Sequence, residues 1–214
     1  MNVSLDTIDP KHFKALTRVG DIRAVFDGIQ AASVAGLEVK INAVVMPDTT
    51  DAALFDMILW CAERGFDVSF IEWMPLGHVD PLDEQVQYKS VTDLRERIDR
   101  RWPLTQTKRK TNGPSRYYYS DTLGIHIGMI TPLTDNFCED CNRLRLSCNG
   151  LLYPCLGHDN STDLGALIKS EADPSLISQA IKTTLEHKPL RHDFQIMQFY
   201  ASPNVKRFMN QTGG

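Results

Sequence analysis

Two runs rich in β-branched residues, VKINAVVMP at 39–47 and VSFIEWMP at 68–75, flank a stretch of helical periodicity. That stretch opens on Thr50 or Asp51 as N-cap, continues through Glu63 and Arg64, and stops at Gly65. The same alternation precedes it: NVSLD at 2–6 reads as a strand, and Ile22, Val25 and Ile29 recur at helical spacing between a capping Asp21 and Gly36. Strands alternating with helices of this length imply parallel βαβ units. The first such strand starts at residue 2, with nothing before it to cover a strand expected to be buried on both faces. A full barrel takes about eight βα units and roughly 250 residues, and about three such units are legible here. The chain is therefore expected to be the later part of an incomplete (β/α) TIM-like barrel, against the alternative of a small, complete open sheet.

A further helix is expected from Val91 to Arg101, halted by Pro103. The texture then changes. TNGPSRYYYS at 111–120 and GIHIGMIT at 124–131 read as antiparallel strands, a cysteine-rich segment follows, and helices near 162–169 and 174–187 lead into a polar tail. The expected domains are residues 1–110, the barrel part, and 111–214, an α+β C-terminal region. At 214 residues the chain can bury a substantial core without covalent staples. With 23 Lys and Arg against 27 Asp and Glu, the net charge of −4 argues against broad binding to nucleic acid or to an anionic membrane. Four of the five cysteines fall between 138 and 155, which reads as metal ligation in a reducing compartment, hence a cytoplasmic setting.

The segment FCEDCNRLRLSCNGLLYPCL, 137–156, carries the spacing Cys138-x2-Cys141-x13-Cys155, with Cys148 inside the interval. A C-x2-C turn brings two sulfurs to one centre, and a distant third closes the site from another segment. Two identities compete. With His158 the set becomes a tetrahedral zinc site and a structural knot, the core of a zinc-stabilised binding module. Three cysteines alone suit an iron–sulfur cluster with one iron open to a ligand. On a strand, Cys141, Arg143 and Arg145 share one face, while Leu144, Leu146 and Cys148 point to the other, so Cys148 is expected to be a buried structural thiol. A two-residue Asn149-Gly150 loop would set Cys155 opposite Leu144. A three-residue Cys148-Asn149-Gly150 loop with left-handed Gly150 sets it opposite Arg143, and only that register gathers the three sulfurs. The arginine forks then suit a polyanionic substrate, the alternative being charge balance with the thiolates or with Glu139 and Asp140.

These motifs, taken with VSLDT, VKINAVV, FIEWMPLG, SRYYYSDTLGIHIGMITPLTDNFC and the terminal GG, resemble in order the GTP 3′,8-cyclase family of molybdenum cofactor biosynthesis, radical S-adenosylmethionine lyases. The resemblance covers essentially the whole chain. It implies a partial barrel followed by a domain holding a second 4Fe-4S cluster, whose open iron meets the guanine of GTP. Cys138, Cys141 and Cys155 would ligate that cluster, and Arg143, Leu144, Arg145 and Lys40 would contact GTP. Lys40 is conspicuous by itself, because an ammonium on a parallel strand is costly unless an anion or solvent meets it. Ser4 and Met74 match positions that contact S-adenosylmethionine, the methionine through its backbone, although by its sequence alone Met74 reads as core. Gly213 and Gly214 match a tail that reaches the active site.

Two departures accompany the resemblance. The family's C-x3-C-x2-C motif for the radical-generating N-terminal 4Fe-4S cluster is absent, as is its glycine-rich loop, and Cys61 lies alone in a helix. Ser69 stands where the family often has Arg. The expectation is a chain lacking the N-terminal portion and incomplete for catalysis by itself. The implied reaction of the complete enzyme converts GTP to (8S)-3′,8-cyclo-7,8-dihydroguanosine 5′-triphosphate. A different radical S-adenosylmethionine enzyme with an auxiliary cluster is a further alternative. Expected partners are GTP and a second copy in a homodimer, with no nucleic acid and no membrane.

Overall fold

The computed structural model describes residues 1–74, 76, 88–111, 113–194, 205, 207 and 211. Strand β1 (Asn2–Ser4) leads to helix α1 (Pro10–Thr17), which the periodicity did not announce. Its signal is local: Asp9 caps the His12 N–H, and Pro10 occupies the first turn, where no N–H is needed. Helix α2 (Ile22–Val34) follows its Asp21 cap, and β2 (Lys40–Val45), α3 (Asp51–Ala62) and β3 (Asp67–Glu72) complete the alternation. Helix α4 (Val91–Arg101) is capped by the Ser90 hydroxyl. Then β4 (Thr105–Gln106), β5 (Arg116–Ser120) and β6 (Ile125–Ile130) close a six-stranded sheet of order β1-β2-β3-β6-β5-β4. Pairings from β1 to β6 are parallel, and β5 and β4 add antiparallel partners.

The expected antiparallel hairpin thus exists, but β6 also pairs in parallel with β3, so the hairpin continues the first sheet beyond residue 110. The chain divides into a unit of Met1–Trp73 with Gln87–Asp135 and a unit of Met74–Val86 with Asn136–Gly214. In the first unit, Ile41, Ala43, Val45, Val68, Phe70, Ile127 and Met129 share a core with Ile29, Leu54, Met57, Ile58, Leu94 and Ile98 from the three helices α2, α3 and α4. The alternating residues Lys40, Asn42 and Val44 are only half-buried. Strand β2 is thus covered by helices on one face only, and β1, expected to be buried on both faces, is exposed at Asn2 and Ser4. Glu72, fully buried, ends β3 by accepting from the Leu133 N–H at 2.7 Å and the Thr134 N–H at 3.2 Å, a structural role that fixes the following turn.

The second unit contains a one-turn 3-10 helix (Cys138–Asp140), then β7 (Arg145–Leu146), β8 (Leu151–Tyr153) and β9 (Thr162–Asp163) in a three-stranded antiparallel sheet, with α5 (Leu164–Lys169) and α6 (Pro174–Glu186). Among the described residues, no helix is long and apolar enough to cross a membrane.

Candidate functional site

The helix-free face of the first sheet is polar. Register aligns Ser4, Asn42, Ser69, Gly128 and Tyr117 in one row across five strands, and Lys40 and Asp67 in the next. The Lys40 ammonium donates to the Tyr117 hydroxyl at 2.8 Å and lies 5.5 Å from the ring centroid. Lys40 is therefore engaged in a network, not left at a bare strand end. Burial pushes the Tyr117 phenol up, but hydrogen bonds with Lys40, Thr111 and Ser115 and the Lys40 charge outweigh it, leaving the phenol below its ordinary value. Beside this pair, Arg109 binds Asp67 at 2.8 Å and approaches His126 Nδ1 at 2.8 Å. The Asn42 side-chain oxygen is buried without a hydrogen-bond partner among the described residues. Ser69 is fully buried and bonded to the Ser115 hydroxyl at 3.2 Å, so this position supplies packing to the face and no cation. Ser4 is exposed on β1. Tyr117 was passed over in the sequence, although alternation along YYY would have set it on the face opposite Tyr118.

The second unit carries the thiols. The Cys141 N–H closes the 3-10 turn on the Cys138 carbonyl at 3.1 Å. Arg145 pairs with Tyr153 and Leu146 with Leu152, the register of a three-residue loop. Gly150 has φ +88°, as that loop requires. Arg145 and Tyr153 thus share one face, and just beyond the strands the Lys188 ammonium donates to the carbonyls of both Arg143 and Pro154, next to Cys155. Cys148 is exposed, and Leu146 with it; this corrects the buried thiol expected at 148, because the loop lifts it off the sheet before the helices reach it.

Burial raises the Cys155 thiol, and the neighbouring Cys138 and Cys141 add to that shift while the Gly157 N–H and Lys188 oppose it. Burial also lowers the Arg145 guanidinium, reinforced by Arg143 and Arg207 and opposed by Cys141 and Cys155. The three sulfurs and three guanidiniums therefore share one electrostatic neighbourhood. Among the described residues, no three His, Cys, Asp or Glu side chains are arranged to grip a single metal ion. His158 has Nε2 3.1 Å from the Arg191 carbonyl oxygen and Nδ1 3.6 Å from Asp193, both directed to groups other than the thiols. Cys61 is buried in α3 with its thiol pushed up to about 12 by burial, an inert core residue. The Met74 carbonyl accepts from the Leu76 N–H at 2.8 Å. Gly213 and Gly214 lie outside the described residues.

Arg207 and Lys188 entered no sequence expectation. Arg207 is 8% exposed, and its guanidinium stacks 4.1 Å from the Tyr153 ring centroid. No spacing rule ties either cation to the cysteine segment.

Residues 66–194 match the family pattern described as Molybdenum Cofactor Synthesis C. Across all 214 residues the chain is 42% identical to a GTP 3′,8-cyclase of Paracoccus denitrificans and 43% identical to one of Rhizobium meliloti. It is 45% identical over 215 aligned positions to the protein of that name from Brucella canis. In each case the whole of this chain is covered, and it spans 62%, 61% and 62% of those relatives' lengths.

Proposed function

Because the chain belongs to the Molybdenum Cofactor Synthesis C family, we propose that it forms the C-terminal, nucleotide-facing part of a radical S-adenosylmethionine GTP 3′,8-cyclase. The observation that carries this reading is the hairpin register, Arg145 against Tyr153 around a left-handed Gly150, which is the three-residue loop that would bring Cys155 to Arg143. Cys138, Cys141 and Cys155 hold a 4Fe-4S cluster, which when bound supplies a Lewis-acidic iron with a free position for the purine. Arg143 and Arg145, with the Leu144 backbone between them, bind the triphosphate through their forks. Both arginines are half-buried, which strengthens their attraction for phosphate over that of fully solvated cations.

The sheet supports the barrel half of the reading. Doubly wound open sheets carry helices on both faces, whereas a (β/α) barrel keeps its helices on the outer face alone. Here the helices pack on one face and the other displays Lys40, Asn42 and Tyr117. Lys40 is assigned to GTP, Ser4 and the Met74 backbone to S-adenosylmethionine, and Gly213 and Gly214 to a tail entering the active site. The sequence contains no C-x3-C-x2-C motif, so these residues orient substrate and shield it from water, and the radical originates at a site this sequence does not supply. A zinc-stabilised module is less well supported, since His158 is committed elsewhere.

Anaerobic reconstitution followed by metal analysis and GTP titration tests the reading. It predicts about four irons per chain, and GTP affinity weakened at least tenfold by Arg143→Ala or Arg145→Ala. One zinc and no iron overturns it in favour of the binding module. A full complement of iron with no GTP binding at millimolar nucleotide overturns it in favour of another radical enzyme with an auxiliary cluster.

A further inference from the structure

Cys155 sits on a stretch without regular secondary structure, just past the end of β8. Four carbonyls of the run 154–158 nevertheless have partners, and all of them are side-chain cations. The Lys188 ammonium, two residues beyond α6, donates to the Pro154 carbonyl at 2.5 Å and to the Arg143 carbonyl at 2.8 Å. It thereby joins the chain just before β7 to the chain just after β8, next to the third thiol. Arg207 takes the other side: its Nη2 donates to the carbonyls of Leu156 at 2.8 Å, His158 at 3.0 Å and Cys155 at 3.4 Å. Its Nη1 binds Asp159 at 2.6 Å.

We infer that Lys188 and Arg207 form a two-cation clamp that positions Cys155 and holds positive charge against the cluster bound there. Both are positioning residues, since the Lys188 ammonium and both Nη groups of Arg207 are turned to backbone carbonyls and Asp159, and the Arg207 Nε is buried. The clamp is needed because the thiol sits where no strand or helix fixes the backbone, and a mobile third ligand would release the cluster. An iron–sulfur cage bearing three thiolates is anionic, so the same two cations favour the further negative charge it takes on when reduced and hold its potential up. The inference rests on the cluster reading above and extends it to residues from two segments remote in sequence from the cysteines.

The test uses the reconstituted chain with two readouts, the rate of iron loss to a chelator and the cluster reduction potential. Arg207→Lys keeps the charge and drops the fork; it is expected to speed iron release at least tenfold with little change in potential. Lys188→Gln removes a charge; it is expected both to speed release and to move the potential to more negative values. Asp159→Asn, which loosens the Arg207 anchor while sparing both cations, is expected to act as a weaker Arg207→Lys. A merely structural role would lower the thermal midpoint and leave the potential of Lys188→Gln unchanged, and that result overturns the inference. So does wild-type iron retention in the folded Arg207→Lys and Lys188→Gln proteins, checked by circular dichroism. If the unsubstituted chain takes up no iron, the cluster reading fails first and the clamp with it.

Discussion

A Cβ added at Gly128 would stand 2.1 Å from the Ser115 hydroxyl oxygen and 2.3 Å from that of Ser69. Those hydroxyls are bonded to each other in the sheet's polar face, so Gly128→Ala must part them and leave them short of partners. A loss of about 1–3 kcal/mol in urea unfolding is expected; Ser69→Ala in the same chain should restore part of it. Asp6 tests the face differently. Burial raises its carboxyl above the ordinary value, against the Val44 N–H bond and the His12 charge. With the folded value above the unfolded one, the carboxyl's contribution to stability is present at low pH and declines as pH rises between the two. Asp6→Asn keeps an acceptor for Val44, so its stability relative to the parent chain should increase with pH across that window. At this scale the grouping of Cys138, Cys141, Cys155, Arg143 and Arg145 in one segment is legible because spacing and side-chain type are local. The exposure of Cys148 was not, since nothing in the loop sequence says how far the neighbouring helices extend.

The β7–β8 hairpin is the element on which the thiol site depends, and its register is set at the tip. Gly150 must be left-handed, and a Cβ there would fall 2.6 Å from Gly165 Cα, a backbone atom that cannot rotate away. The Gly150 carbonyl also accepts from the Leu164 and Gly165 N–H groups, tying the tip to the start of α5. Gly150→Ala is therefore expected to cost more than about 1 kcal/mol and to lower iron uptake by disturbing the Cys155 register. Cys148→Ser, in an exposed position, should leave iron content unchanged, whereas Cys155→Ser should abolish the cluster. Metal analysis and the visible absorption of the two proteins decide the point. That a hairpin turns near Asn149-Gly150 could be read from those residues, but they suit a two-residue loop as well, and the three-residue register followed only from requiring the three thiols to meet. Helix α1 could have been read from Asp9-Pro10, but eight residues give too short a stretch for periodicity to stand out.

At the scale of the molecule, each unit has its own organisation: the first owns the large apolar core, and the second a small sheet, two helices and the thiols. Removing iron from the reconstituted chain should accordingly expose amides of 145–153 to hydrogen exchange while β2 and β3 keep their protection, because metal binding energy is folding energy only where the ligands are. Equal loss of protection in both regions would contradict that assignment. The sequence by itself determined the alternating elements, the caps of α2 and α3 and the thiol spacing, all of which follow from residues within a few positions of one another, and narrowed the hairpin to two registers. Only the tertiary structure decided that β6 joins β3, that one face of the sheet stays polar around Lys40 and Tyr117, and that Lys188 and Arg207 hold the backbone carbonyls of the run 154–158 around Cys155. Those contacts join residues far apart in the chain, and their partners are selected by packing, which no local period or spacing records.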